Sequence, residues 1–231
     1  MGILINMRRN SMKEYVPPTP EPQYIQNGLI FWLDGIKNTP NGHDATSANW
    51  YDLADNTRYA PYPSSAVIGD DYCIPNVAFT LSKQLTISTG YTIEIVINIS
   101  AISNSQMILP NAGNNFGTVW IATSSSGNRI YFSAGNSNGA KGTTRLSGIN
   151  TYTSIGKTSS SFYRNGSQVT WEQTSATWST AYRSTLFDYS SSYSRPCKSK
   201  VYCIRIYNRT LSASEINENY LVDKARFGSG V

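Results

Sequence analysis

Tyr91-Thr92-Ile93-Glu94-Ile95-Val96-Ile97-Asn98-Ile99 places an isoleucine at every second position. Successive side chains of a β-strand point to opposite faces, so Ile93, Ile95, Ile97 and Ile99 share one face and Thr92, Glu94, Val96 and Asn98 the other. A helix would scatter the same isoleucines around its circumference. The stretch therefore reads as a strand whose purely apolar face meets a core and whose second face carries one carboxylate. Working outward, further strands are expected at 77–81, 85–88, 117–123, 129–134, 151–155, 162–164 and 168–171, separated by Gly, Asn and Ser turns. Phe162-Tyr163-Arg164-Asn165-Gly166-Ser167 is a hairpin signal, because Asn-Gly readily takes up the positive φ angles of a type I′ turn.

Toward the start, Gly28-Leu29-Ile30-Phe31-Trp32-Leu33 is an apolar run closed by Asp34-Gly35, as expected of a strand buried on both faces and ended by a turn. Residues 36–63 read as loop-rich, with Trp50-Tyr51-Asp52-Leu53 inside them plugging one end of the core. Toward the other end, a Ser- and Tyr-rich loop at 189–196 precedes Lys200-Val201-Tyr202-Cys203-Ile204-Arg205-Ile206-Tyr207, another strand. Then the period changes. Ser212-Ala213-Ser214-Glu215 is a capping box, in which the Ser hydroxyl accepts from the Glu amide and the Glu carboxylate reaches back. It opens a helix expected over 213–224, with Ile216, Tyr220 and Leu221 on its buried face.

The 231 residues are 39% hydrophobic, 12% aromatic and only 14% charged, a composition able to build a core and unlike that of a disordered chain. Sixteen Tyr beside abundant Ser, Thr and Asn suit strands and polar turns, so the class is all-β, and one sandwich of this length is an ordinary single domain. The net charge of +5 gives a mild pull toward anions. Its contributors are Arg8, Arg9 and Lys13 at the start and Arg195, Lys198, Lys200, Arg205 and Arg209 late. No nucleic-acid-binding signature accompanies them, so nucleic acid is not an expected partner. Cys73, Cys197 and Cys203 cannot all pair within one chain, show no metal spacing, and are expected as free thiols. No stretch approaches the roughly 20 apolar residues that span a bilayer. The opening Met1-Gly2-Ile3-Leu4-Ile5-Asn6-Met7-Arg8-Arg9 has too short an apolar run for a signal peptide, and Asn6 stands where a myristoylation signal wants Ser or Thr. A chain neither membrane-bound nor conventionally secreted is the expectation. Residues 1–23 form a basic and then Pro-rich arm, with Tyr15-Val16-Pro17-Pro18-Thr19-Pro20-Glu21-Pro22 lacking the amide donors a sheet interior requires. The body is expected over 24–231, with the arm as a docking element for neighbouring subunits.

The blocks Gly28 to Gly35, Tyr91 to Ile95, Phe162 to Gly166, and Ile204-Arg205-Ile206-Tyr207-Asn208-Arg209-Thr210-Leu211-Ser212 with Glu215-Ile216 and Asn219-Tyr220 together resemble the concanavalin-A-like lectin and glucanase superfamily. More narrowly, they resemble its laminin-G-like bacterial and phage members. The resemblance runs in order from residue 28 to 228 and is most specific in the terminal block. It implies a two-sheet antiparallel jelly-roll sandwich with one short C-terminal helix packed back over one end, and a concave face or end loops that bind ligands. Taken with the missing signal peptide, the arm and the lone carboxylate described below, it leads to a non-catalytic binding or structural module, with the exterior of a phage virion, as a decoration or fibre protein touching host glycans, as the leading setting. The alternative is a carbohydrate-binding module of a bacterial surface or secreted protein; a degenerate glucanase ranks third. The location expected is a virion surface or the extracellular space.

Glucanases of this sandwich carry their carboxylates at alternating positions of one strand, one as acid and one as nucleophile or base. Here the matching face reads Glu94, Val96, Asn98, so one carboxylate remains and no catalytic residue is assigned. Glu172 and Asp188 are the acids that would have to supply a second. His43 is the one histidine, in an expected loop without a flanking nucleophile motif. No cofactor is expected beyond a calcium ion, for which Asp52, Asp55, Asp70 and Asp71 are the available oxygen donors. Aromatic faces stack on pyranose rings, and the candidates for carbohydrate binding are Tyr59, Tyr62, Trp171, Trp178, Tyr182, Tyr189 and Tyr193.

Overall fold

The computed structural model describes residues 23–87, 90–99, 105–110, 119–124, 127–132, 140–141, 148–156, 161–169, 181–188 and 194–228. The arm therefore lies outside the described residues up to 22. In chain order the strands are β1 (Leu29–Asp34), β2 (Asn49–Tyr51), β3 (Tyr59–Pro61), β4 (Val67–Ile68), β5 (Cys73–Ile74), β6 (Phe79–Ile87), β7 (Tyr91–Asn98) and β8 (Gln106–Leu109). They continue as β9 (Val119–Ser124), β10 (Gly127–Phe132), β11 (Ala140–Lys141), β12 (Ile149–Gly156), β13 (Ser161–Arg164), β14 (Ser167–Val169), β15 (Ala181–Leu186) and β16 (Lys200–Tyr207), followed by the single helix α1 (Ala213–Phe227).

One layer is a sheet ordered β14-β13-β12-β7-β16-β5-β4, with β1 also paired to β16. The other is assembled from β11-β10-β9-β8, the pair β15-β6 and the hairpin β2-β3, and every pairing is antiparallel. The amide of Phe187, just past β15, donates to the Ile108 carbonyl of β8 at 2.9 Å and ties the second layer together. This is the expected sandwich. Its interior is the apolar face of β7, Ile93, Ile95, Ile97 and the following Ile99, together with Phe31, Leu33, Ile204 and Ile206 from neighbouring strands. Against them pack Phe79, Leu85, Ile108, Ile121, Ile130 and Phe187 of the facing layer. Trp50 closes one end as expected, fully buried, its indole N–H donating to the Asp34 carbonyl at 3.0 Å.

Several local expectations hold. β16 begins and ends where the pattern placed it, and Asn165 (φ 51°) and Gly166 (φ 74°) form the positive-φ turn between β13 and β14. The capping box on Ser212 and Glu215 is present, and α1 ends on Gly228 in the left-handed conformation. The three cysteines are free and buried.

Others are corrected. The strands expected at 77–81 and 85–88 are one strand, β6, interrupted by a bulge. Its register against β15 passes from Leu85 opposite Arg183 to Thr80 opposite Thr185, so Ser82, Lys83 and Gln84 swell outward and are exposed. The loop-rich stretch 36–63 contains the β2-β3 hairpin. The helix runs to Phe227, and its buried residues are Ile216, Asn219, Val222, Asp223 and Phe227, whereas Leu221 is exposed and Tyr220 half-buried. The apolar spacing misled because the sheet surface beneath α1 is itself polar. The helix lies over the outer face of the sheet, not over one end of the sandwich, with Asp223 bonded to residues of β12 and β16.

Candidate functional site

The outer face of the large sheet carries Thr92, Glu94 and Val96 from β7, Thr151 and Thr153 from β12, and Cys203, Arg205 and Tyr207 from β16. All are buried. In the register, Glu94 stands between Thr153 on one side and Arg205 on the other. Strand alternation alone brings these three polar groups together, because each is the outward neighbour of a core residue.

Burying a cation requires full compensation. The guanidinium of Arg205 donates through Nη1 and Nη2 to the two carboxylate oxygens of Asp223, both at 2.7 Å, and through Nε to Glu94 Oε2 at 3.0 Å. The Tyr24 ring covers it at 3.9 Å. Asn219, one helical turn before Asp223, donates to Glu94 Oε2 at 2.8 Å and to the Tyr207 hydroxyl at 2.9 Å, while Thr153 donates to Glu94 Oε1 at 3.3 Å. The Tyr24 and Thr151 hydroxyls complete Asp223, at 2.8 and 3.0 Å. Both oxygens of each carboxylate are thus engaged. Burial pushes the Glu94 carboxyl upward, the Arg205 charge pulls it down, and Asp223 pushes it up again.

A second ion pair continues the network to the surface. Arg226, in the last turn of α1, reaches both oxygens of Asp34 at the end of β1, and Trp32 Nε1 donates to the same carboxylate at 3.1 Å. Beside this pair opens a cleft of about 590 Å³. Its inner wall is Tyr24 and Trp32, whose rings meet edge to face at 5.4 Å. Val222, Ala225 and Arg226 of α1 form one side, and the exposed side chains of Gln23, Gln26 and Lys37 form the rim.

The described residues among those singled out from the sequence lie elsewhere. Tyr59 is half-buried on β3, its ring 5.7 Å from Tyr51. Tyr62 stacks on Trp50 at 6.0 Å and meets Phe79 edge-on at 5.9 Å, so it packs the core end. Tyr182 is 53% exposed on β15. Tyr59 and Tyr182 both border β6, at Ser82 and Thr86, but no ring contact joins them. Trp171, Trp178, Tyr189 and Tyr193, and the acid Glu172, lie outside the described residues. Asp188 accepts from the Ser194 hydroxyl and the Arg195 amide at 2.7 and 2.6 Å.

Among the acids proposed for calcium, Asp52 is buried and its Oδ1 accepts from the amides of Trp32 and Ala54, while Oδ2 pairs with Arg58 at 2.9 Å. Asp55 accepts from Thr57 and pairs with Arg58 at 3.2 Å. Asp70 is exposed and Asp71 half-buried in the turn that Gly69 and Tyr72 close. Among the described residues, no group of three His, Cys, Asp or Glu is placed to hold a metal ion. His43 Nδ1 lies 3.1 Å from the Gly35 carbonyl.

Sequence reasoning missed Arg205, Asp223, Asn219 and Tyr24 as a unit, and the cleft with them. A usable signal existed. A lone Glu and a lone Arg in the middle of two apolar strands, with Asn and Asp four apart on an adjacent helix, mark charges that must find one another.

The class defined by this architecture is an antiparallel two-layer β-sandwich with one helix on its outer face. No family model matches the sequence, and no curated protein matches it. Among solved structures, the chain is similar to the sialidase of Trypanosoma rangeli in complex with sialic acid, with a TM-score of 0.58 and 15% identity over 88% of this chain and 34% of that one. The same enzyme with a difluorinated nononic acid gives a TM-score of 0.61 at 14% identity, over 94% and 37% of the two chains. The botulinum neurotoxin serotype D ligand binding domain, in complex with N-acetylneuraminic acid, gives 0.55 at 12% identity, over 85% and 51%. At these identities the likeness concerns the fold alone, and the chain spans about a third to a half of each of those structures. No helix among the described residues is long and apolar enough to cross a membrane.

Proposed function

We propose that the chain is a non-catalytic β-sandwich module that binds glycans. The observation that carries the first half is the state of Glu94. Glycoside cleavage by the common two-carboxylate route needs an acid and a base or nucleophile open to a sugar, with carboxyl groups about 5 to 10 Å apart and room for substrate between them. Glu94 of the sheet and Asp223 of the helix instead flank one buried guanidinium between the two elements, each with both oxygens bonded. Such a face works as a clamp for α1. Glycan binding is supported by the lectin-type fold and by the sugar complexes of its structural neighbours.

The finer setting, the exterior of a phage virion with residues 1–23 docking on neighbouring subunits, rests on the sequence resemblance and on the composition of the arm. A carbohydrate-binding module of a bacterial surface or secreted protein rests on the same fold.

Incubation with laminarin and with sialyllactose should release no reducing sugar and no free sialic acid. Release that disappears in Glu94→Gln would overturn the non-catalytic reading. A glycan array on the full chain tests binding directly, and silence across it would refute that half. Deleting residues 1–23 should leave the melting temperature nearly unchanged and abolish assembly; a multimer that survives the deletion would remove the arm from the account.

A further inference from the structure

We propose that the cleft between the Tyr24 segment, β1 and the end of α1 is a saccharide site selective for sugars that bear a carboxylate. This deepens the glycan-binding reading and rests on it. The volume of about 590 Å³ falls in the range of small-molecule sites. Among the described residues, none that lines the cleft is acidic. Asp34 lies behind it, but its oxygens are committed to Arg226, to the Trp32 indole N–H and to the Lys37 amide.

That commitment decides the charge of the site. Arg226 is neutralised by Asp34, whereas the ammonium of Lys37 is exposed and has no ion-pair partner among the described residues. Among the described residues, the cleft therefore presents one uncompensated positive charge, at its rim. Beside it lie an aromatic wall and two amides. Trp32 is half-buried, leaving part of its indole to the cleft for the C–H face of a pyranose. The amides of Gln23 and Gln26 supply both donors and acceptors for sugar hydroxyls. Gln26 is already fixed by a bond from Nε2 to the Tyr24 carbonyl at 2.9 Å, which leaves its oxygen for a ligand hydroxyl. A carboxylate on Lys37 in this open position confers selectivity more than affinity.

The test is titration calorimetry of the full chain with two matched pairs, sialyllactose against lactose and trigalacturonate against galactotriose. At least one carboxylated member should bind about tenfold more tightly than its neutral counterpart, the ratio one well-placed charge confers. Lys37→Glu should abolish that preference and Lys37→Arg should keep it. Gln23→Ala should weaken both members of the preferred pair. Both side chains are exposed, so melting temperatures should not move. Equal binding within each pair, or a preference that survives Lys37→Glu, would overturn the proposal. So would a hexaglutamate peptide binding as tightly as the sugars. Glycan binding unaffected by Lys37→Glu and Gln23→Ala would place the sugar elsewhere and leave the glycan-binding reading standing, whereas no binding to any glycan would refute both.

Discussion

A guanidinium in a dry interior is tolerable only while its counter-charges stay in place. Asp223→Ala would leave Arg205 with Glu94 alone and should destabilise the protein by roughly 3–5 kcal/mol in urea denaturation, the usual cost of breaking a buried pair. Arg205→Met combined with Asp223→Leu should cost less than Asp223→Ala alone, because Glu94, whose carboxyl burial already pushes upward, then takes up a proton. A loss below about 1 kcal/mol for Asp223→Ala would mean that the pair behaves as a solvated one. Asp52 offers a pH test. Burial raises its carboxyl to about 6, against the downward pull of the Trp32 and Ala54 amides and Arg58. The folded state thus holds this proton to higher pH than the unfolded chain, so its contribution is full below about 4 and declines as pH rises to about 6. Asp52→Asn keeps an acceptor for both amides and should flatten that part of the stability profile. Parallel profiles for the two proteins between pH 4 and 6 would sink the assignment.

The helix shows what local sequence can and cannot specify. Its capping box acts over three residues, so it was legible, and Ser212→Ala should lower thermal stability by about 1 kcal/mol. Hydrogen bonds from Arg209, then from the Ser212 amide, hold Glu215 down at about 2. Its contribution is present above the usual carboxylate value near 4 and lost as pH falls toward 2, so the Ser212→Ala penalty should shrink in that window. A penalty independent of pH would separate the cap from the Arg209 pair. The inward face of α1 was not legible from the helix's own apolar period, because Asn219 turns inward to Glu94 of β7, 125 residues away, and Asp223 to Arg205 of β16. Leu221 points to water for the same reason. β7, β16 and the β13-β14 turn were readable from period and turn chemistry. β6 was split in two because its bulge breaks the alternation, and β8 and β15 were missed because short strands paired at a distance carry little local pattern. The cleft was invisible for a stronger reason: Tyr24, Trp32 and Arg226 are brought together only by the finished fold.

At the scale of the molecule, the sandwich buries all three of its thiols, and none of them pairs. Burial pushes Cys197 up to about 12, and Cys73 and Cys203 also rise. Thiolate is the reactive form, so Ellman's reagent should find no accessible sulfur in the native protein and three after unfolding in guanidinium. Rapid reaction of even one in the native state would show that the sandwich opens locally. A different consequence follows from the way Tyr24 meets the helix. Its hydroxyl bonds to Asp223 and Arg226, and the amide of Ile25 donates to Asn219, so the chain begins its sandwich against the same helix on which it ends. A body whose two ends are neighbours can be rewired without being rebuilt. Joining Gly228 to Gln23 through a glycine-rich linker and opening the exposed turn between Ala45 and Thr46 would yield a circular permutant with the same sheets and the same clamp. The same adjacency would let a host protein carry this sandwich as an insert in one of its surface loops, displayed outward with little disturbance to the chain on either side.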